Sequence, residues 1–344
     1  MSLQILDPAQ YPGWDEILLS TPHYSFFHSS EWARVLSESY GFKPKYFVDI
    51  HEGKFLVLIP IMEVNSFLTG KRGVSLPFTD YCDPILNGNS QLNDLFKDIV
   101  TNGKRSGWRY LELRSRSNFF NLNPISTIYL GHILDLSEKV DQIFSKFRDS
   151  TKRNIKKARK QGVELKIENT IDSVKEFYKL NCITRKRHGL PPQPFIFFKK
   201  IFEHIISKDM GLIVLAFLNV KPIAGAVYFH FGDTAIYKYG ASDFKYQNLR
   251  ANNLVMWGAI EWYSQKGYKR LCLGRTEPQN FGLIQFKSGW GAKEYKLYYY
   301  RYSIKKENFL LLNYNETGFH NKIFRCIPLF LLVKLGNILY KDFA

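Results

Sequence analysis

Three consecutive β-forming runs constrain the fold more than any other feature of the sequence. The runs are residues 212–218, 221–231 and 234–241. Only Asn219-Val220 and Gly232-Asp233 separate them, and such short connections join antiparallel strands. A helical pattern follows at 251–266, and then a strand at 270–273. A meander followed by a helix and a further strand predicts a mixed sheet and disfavours a doubly wound parallel one.

The chain is long enough for two such units. It has 344 residues, of which 45% are hydrophobic, so two substantial cores are expected. We predict an α/β (α+β) fold of two tandem units at 1–137 and 138–306, each a mixed, mostly antiparallel sheet flanked by helices. An amphipathic C-terminal tail follows at 307–344.

The stretch 267–300 contains the strongest candidate site. A short strand gives way to a polar turn and a short helix, and Arg275, Thr276 and Lys287 lie in this turn and helix. In open α/β sheets, ligands bind in the crevice at the carboxyl ends of the strands. These side chains are therefore predicted to face a site. An ordinary strand, loop and helix with solvated charges is the alternative.

A strong positive charge favours polyanionic partners. There are 48 Lys and Arg residues against 31 Asp and Glu, a formal net charge of +17. Apolar residues recur at steps of three and four between residues 144 and 158, which predicts an amphipathic helix pair or one long helix. Its outer face, here called the basic face, consists of Lys152, Arg153, Lys156 and Lys157. Binding of tRNA and simple solvation are both open explanations of this face.

Cysteine spacing and hydropathy indicate the redox compartment of the protein and its relation to a membrane. The four cysteines are scattered, without zinc-ligand spacing, so we expect no metal and a reduced compartment. No signal peptide or membrane span is evident, which favours a cytoplasmic location. Residues 323–340 are apolar but interrupted by charges, proline and glycine. They suit an interfacial helix at the inner face of a membrane, or a helix packed on the first unit.

Four motifs in order carry a resemblance to a known family. They are residues 150–158 (STKRNIKKA), 184–187 (TRKR), 251–257 (ANNLVMW) and 286–291 (FKSGWG). Together they resemble the Fem-type, FemAB-related aminoacyl transferases of the GNAT superfamily, found in bacterial polysaccharide and cell-envelope gene clusters. The resemblance covers about residues 20 to 302. It implies two tandem GNAT-like units and transfer of an aminoacyl group from charged tRNA to an amine, as on a peptidoglycan precursor.

The resemblance also implies roles for individual residues. Lys287 would stabilise the oxyanion formed when an amine attacks the donor carbonyl, and Phe286 would shape the donor pocket. The other donor-binding candidates are Arg275, Thr276, Arg250 and the basic face. The acceptor-binding candidates are Arg34, Asp80, Tyr81 and Arg187, with the arginines on phosphate. The acceptor is expected to be a nucleotide-linked or lipid-linked sugar or peptide precursor.

The donor is the point at which this chain departs from the superfamily. CoA-dependent members bind pyrophosphate at a glycine-rich turn, whereas the matching residues 247–252 (QNLRAN) contain no glycine. This departure favours aminoacyl-tRNA as co-substrate, without a further cofactor. An acyl-CoA-dependent N-acyltransferase is the first alternative, and a non-catalytic RNA- or membrane-binding protein is the second. The eight histidines offer no evident general base.

Overall fold

A computed structural model describes residues 3–87, 92–121, 123–311 and 318–343. Its strands are β1 (Gln4–Leu6), β2 (Lys43–Pro44), β3 (Tyr46–His51), β4 (Lys54–Ile59), β5 (Met62–Ser66), β6 (Gly70–Val74), β7 (Ile85–Leu86), β8 (Tyr110–Ser115), β9 (Thr127–Asp135), β10 (Val163–Glu168), β11 (Gly211–Leu218), β12 (Lys221–Phe231), β13 (Thr234–Ser242), β14 (Arg270–Thr276), β15 (Lys293–Ser303) and β16 (Asn308–Phe309). Its α-helices are α1 (Trp14–Ser20), α2 (Ser30–Tyr40), α3 (Leu92–Ser106), α4 (Val140–Ser145), α5 (Asp149–Lys160), α6 (Ile171–Arg187), α7 (Phe195–His204), α8 (Ala251–Gln265), α9 (Phe281–Ser288), α10 (Gly318–Cys326) and α11 (Leu329–Leu339).

The described residues form two compact units. The first draws on Met1–Leu130, Tyr295–Tyr314 and Lys341–Ala344, and the second on Gly131–Glu294 and Asn315–Tyr340. The chain therefore passes from one unit to the other within β9 and returns near the start of β15. This grouping assigns most of β15 to the first unit, whereas the sequence prediction ended that unit at residue 137.

The first unit contains a small antiparallel sheet in the order β1-β3-β4-β7. Its larger sheet includes β8 between β15 and β6, with β5 and β2 beyond. The hairpin between β3 and β4 turns at Glu52 and Gly53, which have φ of 49° and 71°. Two left-handed residues in succession form a type I′ turn. This turn is favoured in two-residue hairpins because its twist matches that of the strands.

The second unit contains the predicted meander. Strands β10, β11, β12 and β13 are antiparallel neighbours, β14 pairs with β13 in parallel, and β9 lies beside β14. Helix α8 packs on β11 and β12, while α6 packs on β12 and β13. The prediction of mixed, mostly antiparallel sheets flanked by helices is confirmed.

The basic face lies on α5, and α4 and α5 form the predicted helix pair. Thr151, Ile155 and Ala158 are buried at the expected helical spacing, which turns the cations outward. Lys152 departs from this pattern because it is only half exposed. Its Nζ donates to Ser145 O at 2.7 Å. The exposed part of the basic face is therefore Arg153, Lys156 and Lys157.

The tail helices α10 and α11 belong to the second unit. Leu332 and Gly336 on α11 are buried, and a Cβ on Gly336 would overlap with the carbonyl oxygen of Pro192. At the end of the tail, Arg185 Nη2 on α6 lies 3.4 Å from Tyr340 OH. The tail helices thus pack on the second unit, and the alternative of a helix packed on the first unit is wrong. Among the described residues, none of the helices combines the length and hydropathy needed to cross a membrane.

Candidate active site

The candidate site is built where β14 ends and α9 follows. Gly274 within β14 has a φ of 71°, a left-handed conformation that glycine adopts without strain. Helix α9 begins after Asn280, whose side-chain Oδ1 accepts a hydrogen bond from Leu283 N at 3.1 Å. Lys287 lies in the last turn of α9, which brings it back to the end of β14.

Lys287 is a buried cation held by the backbone. The residue is only 3% exposed. The Nζ donates to Gly274 O at 2.9 Å and to Arg275 O at 3.0 Å. Two carbonyl oxygens from consecutive residues therefore orient the charge, because hydrogen bonds from a charged donor are short and directional. The catalytic role of Lys287 stays a prediction.

His132 is the residue that the sequence analysis missed. It lies on β9, beside β14, and is 0% exposed. Its Nε2 lies 3.5 Å from Glu294 Oε2, and Glu294 has a half-exposed side chain. Burial, together with the charge of Lys287, lowers the pKa of His132 to about 4. The imidazole is consequently neutral at pH 7, although it lies near a carboxylate. A histidine among the mainly apolar residues 128–134 was the only signal in the sequence.

Thr276 adds a buried hydroxyl to this region. The residue is 2% exposed, and its Oγ1 has no hydrogen-bond partner among the described residues. Neither ring nitrogen of His132 has a hydrogen-bond partner among the described residues. Buried polar groups are normally paired, so such groups beside a cation are suited to a bound polar ligand. A fixed positive charge with neutral donors around it can stabilise a developing oxyanion.

The remaining donor candidates differ in exposure. Phe286 packs edge-on against Trp290, with ring centroids 5.9 Å apart. Arg275 is exposed, while its backbone carbonyl holds Lys287. Arg250 is also exposed and has a φ of 62° immediately before α8. This left-handed residue occupies the strand-to-helix turn that lacks glycine.

Three of the acceptor candidates lie in the first unit and have structural contacts there. Arg34 Nη2 donates to Ala9 O at 2.6 Å. The carbonyl of Asp80 accepts from Tyr299 OH at 2.6 Å. Tyr81 is buried, with the guanidinium of Arg116 4.7 Å from the centre of its ring. These contacts fix the position of each residue, and the acceptor-binding role of all three stays a prediction.

Arg187, the fourth acceptor candidate, lines a pocket in the second unit. The pocket has a volume of about 490 Å³, and its wall consists of Ile183, Lys186, Arg187, Arg325 and Leu329. The guanidinium of Arg187 lies 5.0 Å from the centre of the Phe244 ring. Helices α6, α10 and α11 supply the lining, so the tail contributes to this pocket. It is called the cationic pocket below.

Known families and structures provide a comparison for the fold of this chain. Residues 145–297 match the family described as acetyltransferase (GNAT) domain. The crystal structure of FemX is similar with a TM-score of 0.66 at 13% identity, covering 87% of this chain and 97% of that chain. The C-terminal domain of a protein described as a lysylphosphatidylglycerol synthetase from Agrobacterium fabrum gives a TM-score of 0.56 at 13% identity, covering 83% and 89%. A tandem GNAT protein from the clavulanic acid biosynthesis pathway gives 0.54 at 8% identity, covering 88% and 98%. The curated protein sequences contain no match.

The domain match covers most of the predicted second unit but less than half of the chain. The second unit contains a GNAT acyltransferase domain, and the prediction of an acyltransferase is confirmed. The similarity to FemX and to the tandem GNAT protein extends over both units, so the fold of the whole chain is similar to the folds of these two proteins. At 13% identity and below, the solved structures establish the fold alone.

Proposed function

We propose that this protein transfers an aminoacyl or acyl group from an activated donor to an amine on a cell-envelope or polysaccharide precursor. Aminoacyl-tRNA is the favoured donor. The observation that carries the proposal is the buried Lys287, oriented by two backbone carbonyls beside the neutral His132. The similar fold of a protein described as a lysylphosphatidylglycerol synthetase, an enzyme named for a phospholipid, supports a substrate of the cell envelope.

The chemistry requires a fixed positive charge. When the amine nitrogen attacks the donor carbonyl, a C–N bond forms and the carbonyl oxygen becomes an oxyanion. The C–O bond to tRNA, or the C–S bond to CoA, then breaks, and the leaving oxygen or sulfur takes a proton from solvent, which balances the proton that the amine loses. In our proposal the Lys287 ammonium stabilises the oxyanion, because a preoriented charge in a buried site acts without reorganisation. Phe286, Thr276 and Arg275 would line the donor side.

Formation of the amide also releases a proton from the amine. Lys287 cannot accept this proton while it is charged, whereas the neutral imidazole of His132 can. Glu294 Oε2, 3.5 Å from the imidazole and half exposed, could then take the proton on toward solvent. We therefore include His132 and Glu294 in the proposed mechanism as a route for the proton.

Two features favour aminoacyl-tRNA over acyl-CoA. Residues 247–252 lack the glycines with which a turn binds pyrophosphate, and the exposed Arg250 occupies the left-handed position. The basic face presents Arg153, Lys156 and Lys157 to solvent, as a surface for phosphates would. The acyl-CoA alternative retains support from the description of the matched family as an acetyltransferase domain.

The acceptor is proposed to be a nucleotide-linked or lipid-linked precursor bearing an amine, with Arg34, Asp80, Tyr81 and Arg187 as its contacts. We also propose that the tail, residues 307–344, contacts the inner face of the membrane. This places the protein in the cytoplasm beside such precursors.

A donor comparison tests the proposal. Purified protein is incubated separately with charged tRNA and acetyl-CoA, each labelled in the acyl group, and with amino-sugar or peptide-linked precursors. We expect label in an amide product from the charged tRNA, formed roughly 10²-fold or more slowly with Lys287→Met. Transfer from acetyl-CoA alone would replace the favoured donor by the alternative. Absence of transfer from both donors to every acceptor would contradict the proposed reaction.

A further inference from the structure

We propose that the cationic pocket binds the phosphate of an anionic membrane phospholipid, while α11 lies in the headgroup region of the bilayer. The inference rests on the membrane contact proposed above, and its test requires no acyl transfer. It assigns a ligand class to a pocket built partly from the tail, which lies beyond the residues that match the GNAT domain family.

Charge is the first support. Lys186 and Arg325 line the pocket, and neither has an ion-pair partner among the residues that the structure describes. Burial, together with the charges of Arg187, Arg185 and Arg325, lowers the pKa of His188 next to the pocket. A region with this potential attracts an anion.

Apolar exposure on the tail is the second support. Phe330 is 64% exposed and Ile338 is 65% exposed, and both lie on α11. Ile323 on α10 and Leu331 on α11 are also exposed. Large apolar side chains beside basic ones are typical of helices that lie in a membrane interface. The opposite face of α11 is buried through Leu332 and Gly336, so the helix stays attached to the protein.

The composition of the tail selects a lipid surface as the occupant. Residues 318–341 contain no aspartate or glutamate, while Lys322, Arg325, Lys334 and Lys341 supply positive charge. An anionic bilayer complements both properties, because its phosphates meet the cations and its acyl chains meet the apolar side chains. The apolar walls of the pocket, Ile183 and Leu329, suit the glycerol and upper acyl chain below a headgroup.

Vesicle flotation tests the inference without any substrate. The vesicles contain phosphatidylcholine alone or phosphatidylcholine with phosphatidylglycerol. The pocket variant combines Lys186→Gln with Arg325→Gln, and leaves Arg187 intact. Each basic residue near such a surface changes binding about fivefold, so the pocket variant should bind the anionic vesicles about thirty-fold more weakly. Phe330→Ser with Ile338→Ser should weaken binding at least about tenfold, including at high salt.

The matched control removes two charges elsewhere on α6. Lys175→Gln with Lys179→Gln changes the net charge equally, at residues whose Nζ atoms lie 2.9 Å and 2.6 Å from Asp172 and Glu176. The control should float like the wild type. If the pocket variant also floats like the wild type, the pocket assignment is overturned while the membrane contact stands. If the wild type binds both vesicle types equally, the anionic headgroup is overturned. If it binds neither, the membrane contact and the pocket assignment both fall.

Discussion

Replacement of Lys287 by methionine separates the chemical role of this residue from its structural one. Methionine retains most of the packing volume but removes the charge and the two hydrogen bonds to Gly274 O and Arg275 O. A hydrogen bond from a charged group contributes about 1.5–3 kcal/mol, so two lost bonds would cost roughly 3–6 kcal/mol. Removal of a buried charge offsets this by several kcal/mol, because its desolvation cost also disappears. We expect a net loss of about 1–3 kcal/mol, which leaves the protein folded.

The rate should change far more than the stability. Loss of one oxyanion contact typically lowers turnover by roughly 10²-fold or more, and this is the expected effect of Lys287→Met on the single-turnover rate. Lys287→Arg should recover only part of the rate, because the planar guanidinium holds its charge at a different point. The measurements are urea unfolding and single-turnover transfer on the same preparations. A methionine variant that reacts at the wild-type rate would remove Lys287 from the mechanism.

Three further predictions concern other parts of the chain. Because the pKa of His132 is lowered from 6.5 to about 4, the unfolded chain binds a proton that the native protein does not. Stability should therefore fall by up to about 3 kcal/mol as the pH drops from 6.5 to 4, and urea unfolding of His132→Gln should lack this component. A wild-type-like pH dependence in that variant would contradict the assignment. Replacement of all four cations of the basic face by glutamine should lower the salt dependence of tRNA binding by about three units of slope. Three cations rather than four contribute, because Lys152 donates to a backbone carbonyl. An unchanged slope would mean that the face contacts solvent and not tRNA. In thermal unfolding, Gly336→Ala should destabilise the protein by about 1–3 kcal/mol, because the added methyl group would overlap with Pro192. Gly282→Ala has open space around it and should be neutral or stabilising by up to about 1 kcal/mol.

The sequence predicts the local elements of the fold well. Strands β11, β12 and β13 are antiparallel neighbours at the predicted positions, because short turns leave such strands no other partner. Local sequence patterns could not predict that most of β15 belongs to the first unit. Its hydrogen bonds to β8 join residues about 180 positions apart, and local patterns carry no information about such pairings.

The candidate site was predicted only in part, for a similar reason. Lys287 and the end of β14 are close in sequence, and the strand, turn and helix pattern brings them together. His132 reaches the same region from β9, more than 130 residues before β14. Its low pKa follows from burial and from the charge of Lys287, both of which exist only in the folded chain. Lys152 shows the converse case, because helical periodicity placed it on the surface but a backbone carbonyl holds it.

The last described residues of the chain affect how the protein can be handled. Arg72 is fully buried in the first unit, and its Nη2 donates to the carbonyl of Asp342 at 3.2 Å. Removing the tail from Glu307 onward would leave this guanidinium without that acceptor, at a cost of about 1–3 kcal/mol or more. If the shortened protein no longer floated with vesicles, the result could reflect either loss of the membrane contact or partial unfolding. Affinity tags are for the same reason better placed ahead of β1 than after Ala344.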